Sequence, residues 1–339
     1  MKRLILTLGL TFLAQLLLGQ QSQIDSLVQA GIKHHDNGDF VQALEVYKKA
    51  LEIDPNSSLV NYEMSLTYMY AKDYSNAIRH CDKVIALNDK YLVEACINKG
   101  SCLDYLGKTD ESIKIFEKGI KQFGDNYLLY YNLGYDYLKL EQYDKAQDAL
   151  MNAIRTKSNH ASSHLLLGYT MKNLNQRTQS LLALHYFLFL EPNSERAKTA
   201  YAILRQQFGG NVERDDSKPN QINIVLDPNP SEKEFGAADL MISMLEVSKT
   251  LDKNKGKTDD ELFISNTTSF FTVLGELKKK KSTGLWWEFY VPFFDSLAKS
   301  EHMDTYCYYI SASTNKNAAE WLKANNDKLE KFATWLKER

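Results

Sequence analysis

Helix-breaking residues are scarce in this chain of 339 residues, which contains six prolines and sixteen glycines. Both residue types weaken helix interiors, so their scarcity favours a mainly helical fold. The length suggests two domains. The formal net charge is only −2, whereas nucleic-acid binding needs a clear excess of positive charge, so we predict no nucleic-acid partner.

Sequence motifs of enzyme chemistry are also lacking. The chain has no glycine-rich phosphate loop and no Gly-x-Ser-x-Gly nucleophile turn. The only histidines at helical spacing are His160 and His164, and no acidic residue or cysteine lies beside them. We therefore predict no catalytic residue, no cofactor and no metal site. An enzyme in the C-terminal region ranks third among the functional hypotheses.

A long apolar run begins at Leu4 and ends at Leu18, directly after Lys2 and Arg3. This order is typical of a secretory signal peptide, which we predict over residues 1–19. As a helix the run would measure about 22 Å, short of a hydrocarbon core of about 30 Å, so a retained membrane anchor is the weaker alternative. We expect no integral membrane span after removal of the signal. The segment resembles signal peptides of Bacteroidetes-type bacteria, which implies a periplasmic or secreted protein of a Gram-negative cell.

Cysteine is rare, and its four positions are Cys81, Cys96, Cys102 and Cys307. Their spacing does not match a set of metal ligands. Export would place them where disulfides form. A bridge between Cys81 and Cys96 is therefore one alternative, and buried free thiols are the interpretation that we favour.

The chain contains an internal repeat of 34 or 35 residues. Its five units begin at Ile24, Ser58, Val93, Tyr127 and Ala161. Counted from each start, position eight is small: Gly31, Ser65, Gly100, Gly134 and Gly168. Position twenty is small as well: Ala43, Ala77, Ser112, Ala146 and Ser180. Position twenty-four is larger in most units: Tyr47, Cys81, Phe116, Leu150 and Leu184. Small residues let two helices approach closely, so the pattern predicts one helix pair in each unit.

This pattern resembles the tetratricopeptide repeat family from Ile24 to Glu195, most clearly over Ser26 to Asn56 and Tyr127 to Asn159. The resemblance implies an all-α superhelical solenoid of about five helix-turn-helix repeats plus a capping helix. Each pair buries its apolar face against the next, so stacking is required for stability. We expect a small, aromatic-rich helical domain after the solenoid.

The last third of the chain differs in composition, because it holds all four tryptophans. Residues 222–226 predict a short strand that has nothing to pair with. Pro292 disfavours helical geometry at Val291, so we expect a kink or a helix start there. We interpret the aromatic residues as a core rather than a binding surface. The predicted limits are 20–208 for the solenoid, 209–235 for a linker and 236–339 for the helical C-terminal domain.

The resemblance also implies a concave groove, which the family lines with positions two, five, nine, twelve and thirteen of each first helix. The residues predicted to line it here are Tyr62, Leu66, Met69, Tyr70, Ile97, Tyr105, Tyr131, Tyr135, Leu138, Leu165 and Tyr169. Soluble monomers rarely expose so large an apolar patch. We therefore predict a non-enzymatic scaffold of the cell envelope that binds a segment of a protein or peptide partner in this groove. In the alternative, the C-terminal domain of the chain occupies its own groove.

Overall fold

The computed structural model describes residues 2–88, 90–209, 212–214, 222–224, 234–249 and 254–338. In residues 2–18, 212–214 and 222–224 it describes the backbone alone. These residues are mainly α-helical, as the sequence predicts. The chain divides into two compact units, Met1–Leu140 and Glu141–Arg339, which are described in turn.

The first unit consists of seven helices in sequence. They are α1 (Lys2–Asp36), α2 (Phe40–Ile53), α3 (Ser58–Tyr70), α4 (Tyr74–Leu87), α5 (Leu92–Tyr105), α6 (Thr109–Phe123) and α7 (Tyr127–Lys139). Each helix packs against the next, and each odd-numbered helix also contacts the following odd-numbered helix. The unit is therefore a stack of helix pairs, with the first helices of successive pairs side by side.

The aligned small residues lie where the two helices of a pair meet. A methyl group added at Gly31 would overlap the ring of Tyr47, and one added at Gly100 would overlap Phe116. These contacts join position eight to position twenty-four of the same repeat. Position twenty is fully buried in all five repeats. The predicted register of the helix pairs is thus confirmed.

The turn inside each pair repeats as well. Position fifteen has a left-handed backbone in all five repeats, with φ between +54° and +82°, at Gly38, Lys72, Gly107, Glu141 and Asn175. A left-handed residue just after a helix lets the chain reverse while the last carbonyls stay hydrogen-bonded. Glycine adopts this conformation at the least cost, but three of the five repeats adopt it with another residue. The shared turn therefore belongs to the repeat and not to one residue type.

The second unit begins with four helices that continue the repeat pattern, followed by the C-terminal elements. The first four are α8 (Tyr143–Thr156), α9 (Ala161–Asn173), α10 (Arg177–Leu190) and α11 (Glu195–Gly209). The later helices are α12 (Gly236–Ser248), α13 (Asp259–Leu277), α14 (Val291–Ala298), α15 (Met303–Ser311), α16 (Lys316–Ala324) and α17 (Asn326–Lys337). A methyl group added at Gly168 of α9 would come within 2.7 Å of Leu184 in α10, so the fifth pair keeps the register.

Two short strands lie in the segment that the sequence assigned to a linker. Strand β1 (Val212–Arg214) pairs antiparallel with β2 (Ile222–Ile224), and Glu213 lies opposite Asn223. The expectation of a strand near residue 222 is met. The expectation that it has nothing to pair with is wrong, because β1 is its partner, and the three residues of β1 are too few to show an alternating pattern.

Helix α10 forms the centre of the second unit. Its side chains from Arg177 to His185 are all buried, as are Phe187 and Leu188. A helix that is buried on all sides must be covered by other elements on all sides. It contacts α9, α11, α12 and α15, and the turn that precedes α14. The C-terminal helices thus share one core with the fifth repeat.

That turn, from Trp286 to Tyr290, is a single π-helical turn that leads into α14. The amide of Val291 bonds to the carbonyl of Trp286, five residues back. Pro292 has no amide hydrogen to donate and its ring crowds the preceding turn, which favours a locally wider helix. The structure therefore resolves the kink expected at Pro292 as a π turn.

Burial in the second unit extends to several polar groups. The Nδ1 atom of His164 accepts from the hydroxyl of Tyr290 at 2.6 Å, and its Nε2 donates to the carbonyl of Ser158 at 2.8 Å. The Nδ1 atom of His185 lies 3.0 Å from the hydroxyl of Tyr306. Burial lowers the pKa of His164 to about 4 and that of His185 to about 3. Both rings are therefore neutral at pH 7.

The unit boundary falls inside the predicted solenoid, because α8–α11 share a unit with the C-terminal helices. The limits 20–208, 209–235 and 236–339 stay a prediction. So does the signal peptide at 1–19, since the side chains of residues 2–18 lie outside the described part. Among the described residues, no helix has the length and apolar character needed to cross a bilayer. All four cysteines are described, and each is a buried free thiol.

Candidate partner-binding groove

Nine of the eleven predicted groove residues lie in the first unit, on α3, α5 and α7. Three of them are exposed: Tyr70 by 59%, Tyr105 by 62% and Tyr135 by 43%. The other six are half-buried: Tyr62, Leu66, Met69, Ile97, Tyr131 and Leu138. Most large apolar side chains of the first unit are at least partly buried, so three exposed tyrosines on three consecutive first helices form a distinct aromatic surface.

Two of the exposed tyrosines pack against an aromatic ring at the start of a second helix. The ring centroid of Tyr70 lies 6.4 Å from that of Phe40, the first residue of α2. Tyr105 stacks on Tyr74, the first residue of α4, with 5.1 Å between ring centroids. Each contact joins position seventeen of one repeat to position thirteen of the next. The rings are therefore held in place by their neighbours while much of their surface stays accessible.

Phe40 and Tyr74 lie on second helices, whereas the family resemblance implied groove residues on first helices alone. The sequence does contain a pattern that indicates Phe40 and Tyr74. Aromatic residues occupy position seventeen in three repeats: Phe40, Tyr74 and Tyr143. Reading that column together with position thirteen would have predicted the two ring contacts.

A histidine completes the surface at Tyr70. The ring of His35 meets the ring of Tyr70 edge-on at 5.0 Å. Its Nδ1 atom lies 2.8 Å from the hydroxyl of Thr67, which in turn donates to the carbonyl of Glu63. These bonds fix the imidazole, and through it one side of the tyrosine. An ordered ring loses less entropy when a ligand binds to it.

Tyr62 contributes a second pair of rings. It stacks on Tyr91 with centroids 5.1 Å apart and planes within 8°. Burial, followed by the nearby charges of Glu63 and Glu94, raises the pKa of Tyr62 to about 12, so its hydroxyl is neutral at pH 7. Because Tyr62 is half-buried, it contributes to the wall of the surface rather than to its most accessible part.

Acidic residues lie beneath the surface at Tyr135. The buried Asp104 accepts from the Lys139 ammonium at 2.7 Å and from the Thr109 hydroxyl at 2.7 Å. Asp136 is also buried, and its Oδ2 atom has no hydrogen-bond partner. Burial, with a smaller contribution from the charge of Asp104, raises the pKa of Asp136 to about 7. The charge of Asp104 is thus balanced by Lys139, whereas Asp136 is only partly ionised at pH 7.

The remaining two groove residues lie in the second unit on α9. Leu165 is only 5% exposed, so it has almost no surface for a partner. Tyr169 is half-buried. Helix α11 lies against the start of α9, where Arg196 donates to the hydroxyl of Ser162 at 2.8 Å. The accessible aromatic residues of the predicted groove therefore belong to the first unit.

Metal-ligand chemistry finds no geometric support among the described residues, where no three of the possible ligand side chains come together. His160 lies 2.8 Å from the Ser163 hydroxyl, and both ring nitrogens of His164 are bonded as described above. These histidines have hydrogen-bonding roles in the second unit.

Comparison with known proteins supports the assignment of the helix pairs to tetratricopeptide repeats. Residues 24–57, 93–126 and 127–160 match the family model of the tetratricopeptide repeat. A TPR repeat-containing protein of Methanocaldococcus jannaschii is 23% identical over 294 residues, covering 83% of this chain and 50% of that protein. Lipopolysaccharide assembly protein B of Escherichia coli (strain K12) is 23% identical over 194 residues, covering 56% of this chain and 43% of that protein.

Among solved structures, the pilF protein of Pseudomonas aeruginosa superimposes with a TM-score of 0.49 at 18% identity, covering 56% of this chain and 88% of that one. The chain spans half or less of the length of the two relatives named above. The matched segments coincide with the first, third and fourth repeats found in the sequence, and the helix pairs have the expected register. The chain therefore carries tetratricopeptide repeats in these three segments.

Proposed function

We propose that this protein is a non-enzymatic scaffold of the bacterial cell envelope and that its first unit binds a segment of a partner protein. The observation that carries this proposal is the exposure of Tyr70, Tyr105 and Tyr135 on three consecutive first helices. Tetratricopeptide repeats generally mediate protein–protein interaction. The exposed surface is the part of this chain best suited to that role.

The chemistry of the surface suits an apolar or aromatic partner segment with some polar groups. Tyrosine provides a large rigid contact area and a hydroxyl that can hydrogen-bond, which is why it is frequent at interfaces. Each of the three rings would contribute about 1–2 kcal/mol to binding if it became buried. Together they would contribute about 3–6 kcal/mol, whereas micromolar affinity requires about 8 kcal/mol, so further contacts would supply the remainder.

Location in the envelope rests on the first residues of the chain and on one relative. Lys2, Arg3 and the apolar run after them have the order of a secretory signal. The name of lipopolysaccharide assembly protein B connects that relative with a component of the cell envelope. We infer that this chain is exported and acts in the periplasm or outside the cell.

Site-directed photo-crosslinking in the native host tests the binding surface. A photo-reactive phenylalanine replaces Tyr70, Tyr105 or Tyr135, one at a time. Matched controls carry it in place of Lys49, Lys83 or Lys118, which are exposed on the second helices of the first, second and third repeats. We expect one defined partner adduct at all three tyrosine positions and none at the lysine positions.

The crosslinked partner is then identified, purified and titrated against the full chain. We expect the triple variant Tyr70→Ser, Tyr105→Ser, Tyr135→Ser to bind it at least 100-fold more weakly, and a triple Lys→Ser variant at positions 49, 83 and 118 to bind it within about twofold of the parent. Equal adduct formation at both sets of positions, or unchanged affinity of the tyrosine variant, would show that the surface is not the binding site.

Export has its own test. We expect the mature chain to be recovered from the periplasm or medium with its N-terminus near residue 20. Recovery of a full-length chain in the cytoplasm, with Met1 or Lys2 as its first residue, would contradict the envelope assignment while leaving the binding surface intact.

For the C-terminal region, a structural role is the second candidate. Its aromatic residues pack on α10 and share buried hydrogen bonds with α9 and α10. Such packing stabilises the fifth repeat without requiring any ligand. A destabilising change in this region should therefore lower the melting temperature of the second unit and leave the affinity of the first-unit surface unchanged below that temperature.

A further inference from the structure

Four consecutive lysines, Lys278–Lys281, follow helix α13 in the second unit, and we refer to them as the lysine turn. All four side chains are exposed, and none of their ammonium groups is paired with another described residue. The whole chain has a formal net charge of −2, so the lysine turn is a local concentration of positive charge. Neither the repeat pattern nor the aromatic core accounts for it.

The end of a helix explains only the first of these charges. Helix α13 ends at Leu277, and Lys278 is its C-cap residue. The helix dipole favours a positive charge at that place, but its effect is confined to the last turn of the helix. The other three lysines lie beyond the helix and therefore need another explanation.

Hydrogen bonds hold the lysine turn together. The amide of Ser282 donates to the carbonyl of Lys279 at 3.0 Å, and the amide of Lys279 donates to the hydroxyl of Ser282 at 3.1 Å. Four neighbouring ammonium groups in one turn lie within a Debye length of about 8–10 Å, so they repel one another. A negatively charged partner would relieve this repulsion.

Acidic residues near the lysine turn offset only part of its charge. Glu276 and Glu288 are exposed on either side of it in the sequence, and the four lysines outnumber them. Asp295 lies against Gly275 at the same end of α13, but Lys299 already pairs with it at 2.7 Å. An excess of positive charge therefore stays on the described part of this surface.

The surroundings of the lysine turn distinguish it from a site for a small anion or a protein. Small anions are usually held by oriented donors such as backbone amides or an arginine fork, whereas these lysines have long, rotatable stems. Protein interfaces usually have an apolar core inside a polar rim. The exposed large apolar side chains described in the second unit are Leu240 and Met244, which both lie on α12 and not on α13 or α14. The turn thus offers positive charge without a shaped pocket or an apolar contact area.

We propose that the lysine turn binds the surface of a bilayer that contains anionic phospholipid. Clusters of four or more basic side chains are attracted to such surfaces, where the headgroups are numerous and mobile, so the lysine stems need no fixed orientation. A polybasic patch alone gives reversible attachment and not stable anchoring. Leu285, Trp286 and Trp287, which follow the turn, are buried, so the contact is with headgroups and not with acyl chains.

Co-sedimentation with sucrose-loaded vesicles tests the proposal, using the chain purified from its host in the form that occurs there. One set of vesicles contains equal parts of phosphatidylcholine and phosphatidylglycerol, and the other contains phosphatidylcholine alone. The test variant carries Lys→Gln at positions 278–281. The matched control has the same net charge, because it carries Lys→Gln at four dispersed and exposed lysines of the same unit, Lys255, Lys323, Lys331 and Lys337.

We expect the parent and the control to bind the anionic vesicles more tightly than the neutral ones. The test variant should bind the anionic vesicles at least tenfold more weakly than the control, because each lysine near such a surface strengthens binding about fivefold. Raising the salt to about 1 M, where the Debye length is about 3 Å, should remove the difference between the two variants.

A polarity-sensitive dye locates the contact on the chain. The four native cysteines are buried, so a dye coupled to Thr283→Cys reports on the exposed position beside the lysine turn. Its fluorescence should rise with anionic vesicles and stay constant when the four lysines are also changed to Gln. This readout separates the lysine turn from the apolar run at 4–18, which would bind vesicles on its own if it is retained.

The proposal is overturned if the test variant and the control bind the anionic vesicles equally, if the parent does not prefer them to neutral vesicles, or if the dye does not respond. Binding of soluble poly-glutamate in place of vesicles, with the same dependence on the four lysines, would also overturn it and assign the turn to an acidic protein. Circular dichroism confirms that both variants are folded.

Discussion

The two units use tyrosine in opposite ways. In the first unit Tyr70, Tyr105 and Tyr135 present their rings to solvent, whereas in the second Tyr290 and Tyr306 are fully buried and hydrogen-bonded to histidines. The residue type therefore does not determine its role. What differs is the helix that each ring meets. Helix α10 is buried along most of its length and is covered by further helices, whereas α3, α5 and α7 bury only the sides that face their neighbours.

The units also differ in how burial affects ionisable groups. In the first, burial raises the pKa of Asp136. In the second, burial lowers the pKa of His164 and His185. In each case the neutral form is favoured, because a charge is costly to remove from water. Lowering the pH should therefore destabilise the second unit, whereas raising it should destabilise the first. Measurements of stability against pH can distinguish the two units.

The largest expected effect comes from the aromatic core of the second unit. Phe294 is fully buried and stacks on Phe271 at 4.4 Å. Phe294→Ala should lower the free energy of unfolding of this unit by about 3–5 kcal/mol, because it leaves a cavity. All four tryptophans lie in the second unit, so urea unfolding followed by tryptophan fluorescence measures it directly. A loss below about 1 kcal/mol would contradict the tight packing described here.

Acid should also destabilise the second unit, by a somewhat smaller free energy than Phe294→Ala. The unfolded chain binds protons at its histidines near pH 6.5, whereas His164 and His185 resist protonation down to about pH 4 and pH 3 when folded. Stability is therefore complete above pH 6.5 and falls as the pH is lowered towards 4. We expect His164→Gln to flatten this decline, measured by tryptophan fluorescence in urea at pH 7, 6 and 5. An equally steep decline in the variant would show that His164 is not responsible.

The opposite dependence is expected for the first unit. The ordinary pKa of Asp136 is 3.8 and its folded value is about 7, so this carboxyl reduces stability increasingly as the pH rises between those values. Asp136→Asn should therefore stabilise the first unit at pH 8 by about 1–2 kcal/mol and have little effect at pH 4. Hydrogen exchange measured by mass spectrometry on peptides of α7 separates this unit from the other. The same gain at both pH values would point to packing instead of charge.

The smallest effect on stability is expected at the exposed tyrosines. Tyr105→Ser removes a ring that is 62% exposed, so the free energy of unfolding should change by no more than about 0.5–1 kcal/mol. Circular dichroism in urea checks this value. A loss as large as that of Phe294→Ala would mean that Tyr105 is a core residue, and the contrast between the units would fail.

The repeat register could be predicted because it depends on local spacing. Gly31 and Tyr47, or Gly100 and Phe116, are sixteen residues apart within one helix pair, and the same small and large columns recur along the chain. Because the same columns recur in five repeats, an exception in one repeat does not obscure the pattern. Tyr70 and Tyr105 lie in the first-helix columns that the family resemblance supplied and are exposed, and their place in a binding groove stays a prediction.

The contacts of the C-terminal region could not be predicted in the same way. The hydrogen bond between His164 and Tyr290 joins residues 126 apart, and no repeat constrains it. The burial of α10 had a signal, since its sequence from Leu181 to Leu190 is almost wholly apolar, but this pattern did not imply which helices would cover it. The pairing of β1 with β2 was missed because three polar-flanked residues form too short a pattern to recognise.

The enclosure of α10 also restricts how the array can lengthen. In the first unit, successive helix pairs pack against each other through similar faces. A duplicated unit of 34 residues could therefore be inserted between two of them. After α10 a new pair would have to displace aromatic helices that already occupy its sides. Gene duplication can therefore extend this protein from within the array, whereas its C-terminal end fixes where the array stops.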